Sequence, residues 1–198
     1  MNKKKLIVVS ILSFMTMYLS AQEAKYEIKS AIIKKEIVMM GQKLEAITYF
    51  DDFGKKESAE ITIANGIAVG MGKHIRTIMD KSTIITIDLD SKVANRVNLP
   101  DEPINYLQLT PEIIEKYKVK EIGEEEIAGK LCQKYALEIS QMGQTMQIKT
   151  WVWKGIGLKS EISSNGMVVS IETATEIQEE AEVPADKLIV PEGITIMG

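Results

Sequence analysis

"QMGQTMQIKTWVWKGIGLK" (residues 141–159) holds both tryptophans of the chain, two positions apart, and its apolar residues recur in period two. Met146, Ile148, Thr150 and Val152 point one way; Gln147, Lys149, Trp151 and Trp153 point the other. Such alternation builds a strand and not a helix. "MMGQKLEAITYFDDFGKK" (39–56) reads like an earlier copy, offset by 102 residues. With Gly41 set on Gly143, Leu44, Ala46, Thr48 and Phe50 fall on Met146, Ile148, Thr150 and Val152. Tyr49 falls on Trp151. A duplicated hairpin and independent convergence both account for so short a match.

The same period runs through the rest of the chain. Leu131, Gln133, Tyr135, Leu137 and Ile139 share a face, as do Met167, Val169 and Ile171. Asn165-Gly166 between strand-like runs is a hairpin signal, because both residues tolerate positive φ. Tyr26, Ile28 and Ile32 keep one phase while Ile33, Ile37 and Met39 take the other, which predicts a bulge near Ile32–Ile33. Asp51-Asp52-Phe53-Gly54, Asp80-Lys81-Ser82 and Asp90-Ser91-Lys92 are turn chemistry. Roughly ten strands result, joined by short turns.

One segment departs from the pattern. Thr110-Pro111-Glu112 supplies a hydroxyl cap, a proline at the first helical position and an acid facing the dipole. A short helix is expected there, with the 104–118 segment packed over one sheet face. The tail, from Val183-Pro184 to Pro191-Glu192-Gly193, reads as a short final strand between prolines. The expected fold is mainly β: an antiparallel, incomplete half-barrel with a short helix over one face.

Lys3, Lys4 and Lys5, an apolar run from Leu6 to Leu19 and the small residue Ala21 form the pattern of a secretory signal peptide cut after Ala21. The run is shorter than the ~20 residues a spanning helix needs. No cysteine stands at that cleavage point to carry a lipid anchor. Residues 22–198 are then one domain in the periplasm, with 21 basic against 28 acidic side chains. A net charge of −7 argues against nucleic acid as a partner. Cys132 is the only cysteine, so no internal disulfide forms.

Chemistry is sparse. His74 is the only histidine, which excludes a His-rich metal site, and no G-x-S-x-G or H-E-x-x-H occurs. "GIAVGMGK" (66–73) approaches a phosphate loop but lacks its first glycine and its final Ser or Thr; it reads as an apolar loop. The pairs Asp51-Asp52 and Asp88/Asp90 and the run Glu124–Glu126 sit at turns or strand ends. No enzyme, metal or cofactor is expected. Eight methionines in the mature chain suit a cavity for variable apolar guests, or serve as core filler.

Several stretches resemble an exported family of Bacteroidetes type of unknown function: "TYFDDFGKKES" (48–58), "TIDLDSK" (86–92), "IGEEEIAGKLCQKY" (122–135), "WVWKGIGLKSE" (151–161) and "VPADKLIVPEG" (183–193). That family is similar in fold to periplasmic lipoprotein carriers of the Lol type. The resemblance implies an incomplete barrel with helices over a hollow that holds acyl chains. No carrier's functional residue matches a position here.

Two functions follow as expectations. In the first, the protein binds a hydrophobic ligand, a lipid or the acyl chains of a lipoprotein. Leu44, Phe50, Met146, Ile148 and Val152 then wall the hollow. In the second, it is an envelope interaction or scaffold protein filled by its own side chains. Trp151 and Trp153 are either half-buried wall or the contact with a partner protein or membrane surface.

Overall fold

The computed structural model describes residues 24–39, 41–63, 74–141 and 144–197. The expected signal peptide (1–21) and the 66–73 run lie outside them. The described residues form one twelve-stranded sheet, open and not closed into a barrel. Its strands are β1 (Ala31–Met39), β2 (Gln42–Asp51), β3 (Lys56–Thr62), β4 (His74–Asp80), β5 (Thr83–Asp88) and β6 (Val93–Asn98). After helix α1 (Pro111–Tyr117) come β7 (Lys120–Ile127), β8 (Lys130–Gln141), β9 (Gln144–Trp153), β10 (Ile156–Ser164), β11 (Met167–Glu179) and β12 (Thr195–Met197). The spatial order is β12-β6-β5-β4-β3-β2-β1-β11-β10-β9-β8-β7. All pairs are antiparallel except β12 on β6. The sheet curls, since β7 touches β11 although three strands separate them.

Local chemistry explains the elements. Asn165 and Gly166 take φ of 52° and 77° and turn β10 into β11. The Thr110 hydroxyl accepts the Ile113 N–H, and Pro111 opens α1 at no cost in hydrogen bonding. Lys118, in the left-handed region, ends the helix. β2 and β9 start and stop at the same offset of 102 residues, so the repeated stretch is a repeated ten-residue strand.

Register defines two faces. Leu44, Ile37, Glu172, Ser160, Thr150 and Tyr135 stand side by side in one row across six strands. Glu45, Glu36, Thr173, Lys159, Trp151 and Lys134 form the adjacent row, pointing to the opposite side. The first face carries the 101–117 strap: the Tyr106 ring lies 5.5 Å from that of Tyr135, and α1 rests on β8. The second face carries the C-terminal segment, whose Val190 and Ile194 pack on buried Ile78, Ile87 and Ala94. We call them the strapped face and the tail face.

The main core gathers at one end of the sheet, around buried Ile33, Phe50, Trp151, Leu158 and Cys132. Residues 25–29 close this end. Lys25 and Tyr26 donate their N–H groups to Phe53 O, Glu27 to Lys154 O, and the Tyr26 ring packs 4.5 Å from Phe50. Gly54 and Gly155 let this segment approach: a Cβ on either would lie 2.5 Å from Tyr26 Cδ2 or Lys25 O.

Three sequence expectations need correction. The strands number twelve among the described residues, not roughly ten. The bulge lies not at Ile32–Ile33 but between Lys34 and Lys35 in the β1–β11 pairing, where Thr175 of β11 is unmatched and donates its hydroxyl to Lys34 O. The apparent phase change arose because Tyr26 and Ile28 belong to the bent closing segment rather than to β1. The tail between the prolines is a 3₁₀ turn (Ala185–Leu188), and the final strand follows it at Thr195–Met197. Side chains of Ser58 and Arg76 occupy the carbonyls of Asp186, Lys187 and Ile189, so those carbonyls serve side chains instead of a strand ladder.

Candidate functional site

Leu44, Phe50, Met146, Ile148 and Val152 all fall on the strapped face. They divide along its length. Phe50 is fully buried in the closed end against Tyr26. Val152 and Leu44 are buried, whereas Met146 and Ile148 lie only half-buried in the other half. There one row holds Met39, Ser170, Ile162, Ile148 and Leu137, and the next holds Met167, Ser164, Met146 and Ile139. Met39 and Met167 keep 44% and 69% of their surface in water. The strapped face is therefore plugged with aromatic rings at one end and largely apolar, with Ser164 and Ser170 in its rows, but incompletely covered at the other.

A cleft of about 520 Å³ opens beside the strap. Its sheet wall is Glu57 and Met79, which share the strapped face because Glu57 pairs with both Phe50 and Met79. Its other wall is the strap, where Ile104, Ile113 and Tyr117 stand among the polar or charged Asp101, Glu102, Asn105, Glu112 and Lys116. None of the five predicted wall residues lines it. The strap was expected from its helix start, but the cleft it makes with the start of β3 and the end of β4 was not, because nothing local in the sequence ties residue 79 to residue 104.

Polar groups are placed within the apolar wall. Lys35 and Glu172 form a diagonal ion pair on the strapped face at 2.5 Å, with 11% and 34% of their side chains exposed. Thr150, in the Glu172 row, is hydrogen-bonded to the Tyr106 hydroxyl, and burial pushes that phenol up to about 12. The alternation pattern missed this seam, because Lys35 and Glu172 come from distant strands.

The tryptophans lie on the tail face, opposite Val152. Trp151 is 2% exposed. Its Nε1 donates to Glu125 Oε2 at 2.6 Å, and the ammonium groups of Lys134 and Lys159 stand 4.4 and 4.2 Å from its ring centroid. The hydrogen bond from Trp151, followed by that from Lys159, holds the Glu125 carboxyl below its ordinary value. A visitor to this surface meets two lysines and a glutamate before it meets the indole. Trp153 is partly buried, with Lys130 and Lys154 over its ring. Cys132 is buried in the same cluster, and burial raises its thiol pKa. Among the described residues, no three His, Cys, Asp or Glu side chains converge as metal ligands would.

The sequence matches no protein-family model and no curated protein. Solved structures share the fold at very low identity. An uncharacterized conserved protein from Thermus thermophilus is 10% identical, covering 86% of this chain and 91% of that one, with a TM-score of 0.57. MucB, solved with MucA from Pseudomonas aeruginosa, is 13% identical with a TM-score of 0.53. That alignment covers 85% of this chain but only 58% of the other. A domain assigned to outer membrane lipoprotein sorting from Vibrio parahaemolyticus is a looser likeness: 10% identity over 83% of this chain and 92% of that one, TM-score 0.39. At such identities the likeness is one of fold.

Proposed function

We propose that the chain is a non-enzymatic binding protein of the cell envelope that takes a hydrophobic ligand, a lipid or the acyl chains of a lipoprotein, on its strapped face. In this reading residues 1–21 are removed on export to the periplasm, and residues 22–198 act as one domain. The observation that carries it is the incompletely covered half of that face, where half-buried Met146, Ile148 and Ile162 lie beside exposed Met39 and Met167, with Ser164 and Ser170 between them. Each methylene buried there contributes about 0.8 kcal/mol. A wall rich in methionine adapts to chains of different shape.

The test is direct. The purified mature chain is extracted with organic solvent, the extract is read by mass spectrometry, and uptake of a fluorescent fatty-acyl probe is titrated. Lipid in the extract or saturable uptake is expected. An empty extract with no uptake favours the second reading, an envelope scaffold that binds a protein. One finding favours that alternative: the similar fold of MucB has been solved in complex with the protein MucA.

A further inference from the structure

The polar seam defines what kind of amphiphile the strapped face accepts, and this inference rests on the hydrophobic-ligand reading above. Lys35 stands opposite Ala46 and Ala174, and Glu172 opposite Ile37 and Ser160, so both charges rise from an otherwise small or apolar patch of wall. Beyond them, toward the open end, lies the row of Met39, Ser170, Ile162, Ile148 and Leu137. A chain lying across those rows, along the strand direction, with its head toward the closed end, brings its polar end to the seam.

The seam offers that end a balanced set of groups. The ammonium of Lys35 is already matched by the Glu172 carboxylate at 2.5 Å, so the local charge is zero. Ser160 and Thr150 continue the Glu172 row as hydroxyls. A free carboxylate or phosphate placed here would sit beside Glu172 and add a second negative charge where one ammonium already has its partner. An ester, amide or hydroxyl end group would accept or donate hydrogen bonds without disturbing the pair. Glu172 thus acts as a repulsive element against anions, which is how specificity between similar ligands is commonly built.

We propose that the ligand is uncharged at its polar end, an acyl ester, amide or glyceride rather than a free fatty acid, and that the Lys35–Glu172 pair determines this choice. The experiment compares a fluorescent long-chain fatty acid with its methyl ester at pH 7.5, titrated into the mature chain. The wild type should bind the ester at least ~10-fold more tightly, a difference of about 1.4 kcal/mol. Glu172→Gln bares the Lys35 ammonium and should reverse the order, with the acid gaining ~10-fold or more. Lys35→Met combined with Glu172→Leu removes both charges, should fold, and should show no gain for the acid. A wild type that prefers the acid, or a ratio unmoved in Glu172→Gln, overturns the inference while leaving the binding site in place. Binding of neither probe by the wild type overturns the binding site itself. The wild-type ratio needs no variant, so a Glu172→Gln chain that fails to fold does not shield the proposal.

Discussion

Lys187 and Glu60, 127 residues apart, meet on the tail face with ammonium-to-carboxylate distances of 3.1 and 3.0 Å. Glu60 Oε1 also accepts from Arg76 Nε and Nη2, and Arg76 in turn donates to the carbonyls of Asp186 and Ile189. Arg76 is buried. This hub pins the C-terminal segment to β3 and β4. Glu60→Gln leaves a buried guanidinium without its charge partner and should cost about 2–4 kcal/mol, read as a lower urea midpoint. Val190 and Ile194 should become more exposed to proteases in the same variant.

The same hub sets an acid limit on stability. Burial works against the Glu60 carboxylate, but hydrogen bonds from Lys187 and Arg76 outweigh it and hold the group below its ordinary value. The unfolded chain therefore binds this proton more tightly than the folded one. Glu60's contribution is complete above the ordinary carboxylate range and is lost as pH falls through the lower folded value. Thermal midpoints measured from pH 7 down to pH 3 should fall more steeply in the wild type than in Glu60→Gln. Parallel curves would remove Glu60 from the account.

Gly155 lets the closing segment and the strap meet. Its φ is +82°, and a Cβ there would lie 2.5 Å from Lys25 O and 3.0 Å from Leu107 Cγ. Gly129 has a similar φ of +74° with nothing within 4 Å. Gly129→Ala should cost about 1 kcal/mol, the strain of the backbone alone. Gly155→Ala should cost at least twice that, because the Lys25 carbonyl belongs to the backbone and must shift. Equal losses would show that the segment gives way freely.

Cys132 should be inert in the native state. It is buried and its thiol pKa is raised by that burial. A chromogenic disulfide reagent at pH 8 should react with the native chain only as fast as the chain opens, and at once in denaturant. Prompt native labelling would mean that the Trp151–Cys132 cluster is looser than its packing indicates.

Much of this architecture was legible in the alternation. The β9 stretch and its echo in β2 put Leu44, Phe50, Met146, Ile148 and Val152 on one face, and register agrees. Asn165-Gly166 and Thr110-Pro111 marked a hairpin and a helix start because backbone chemistry at those points is local. What escaped was non-local. Period two cannot show that Tyr26 and Ile28 close one end instead of extending β1. Nor can it show that Lys187 lies over β3, or that Lys35 faces Glu172 across 137 residues of chain. Trp151 read as half-buried because Gln147 and Lys149 share its face. Two of the charged side chains that cover it, Lys134 and Lys159, are brought in by pairing of other strands.

The central claim is that an apolar guest lies against the open half of the strapped face, and Met146→Asp tests it most directly. Uptake of a fluorescent acyl ester should be lost in Met146→Asp and largely kept in Trp151→Ala combined with Trp153→Ala, each checked for its β-sheet signal. Unchanged uptake in Met146→Asp, or loss only in the tryptophan variant with the sheet intact, would place the guest on the other face.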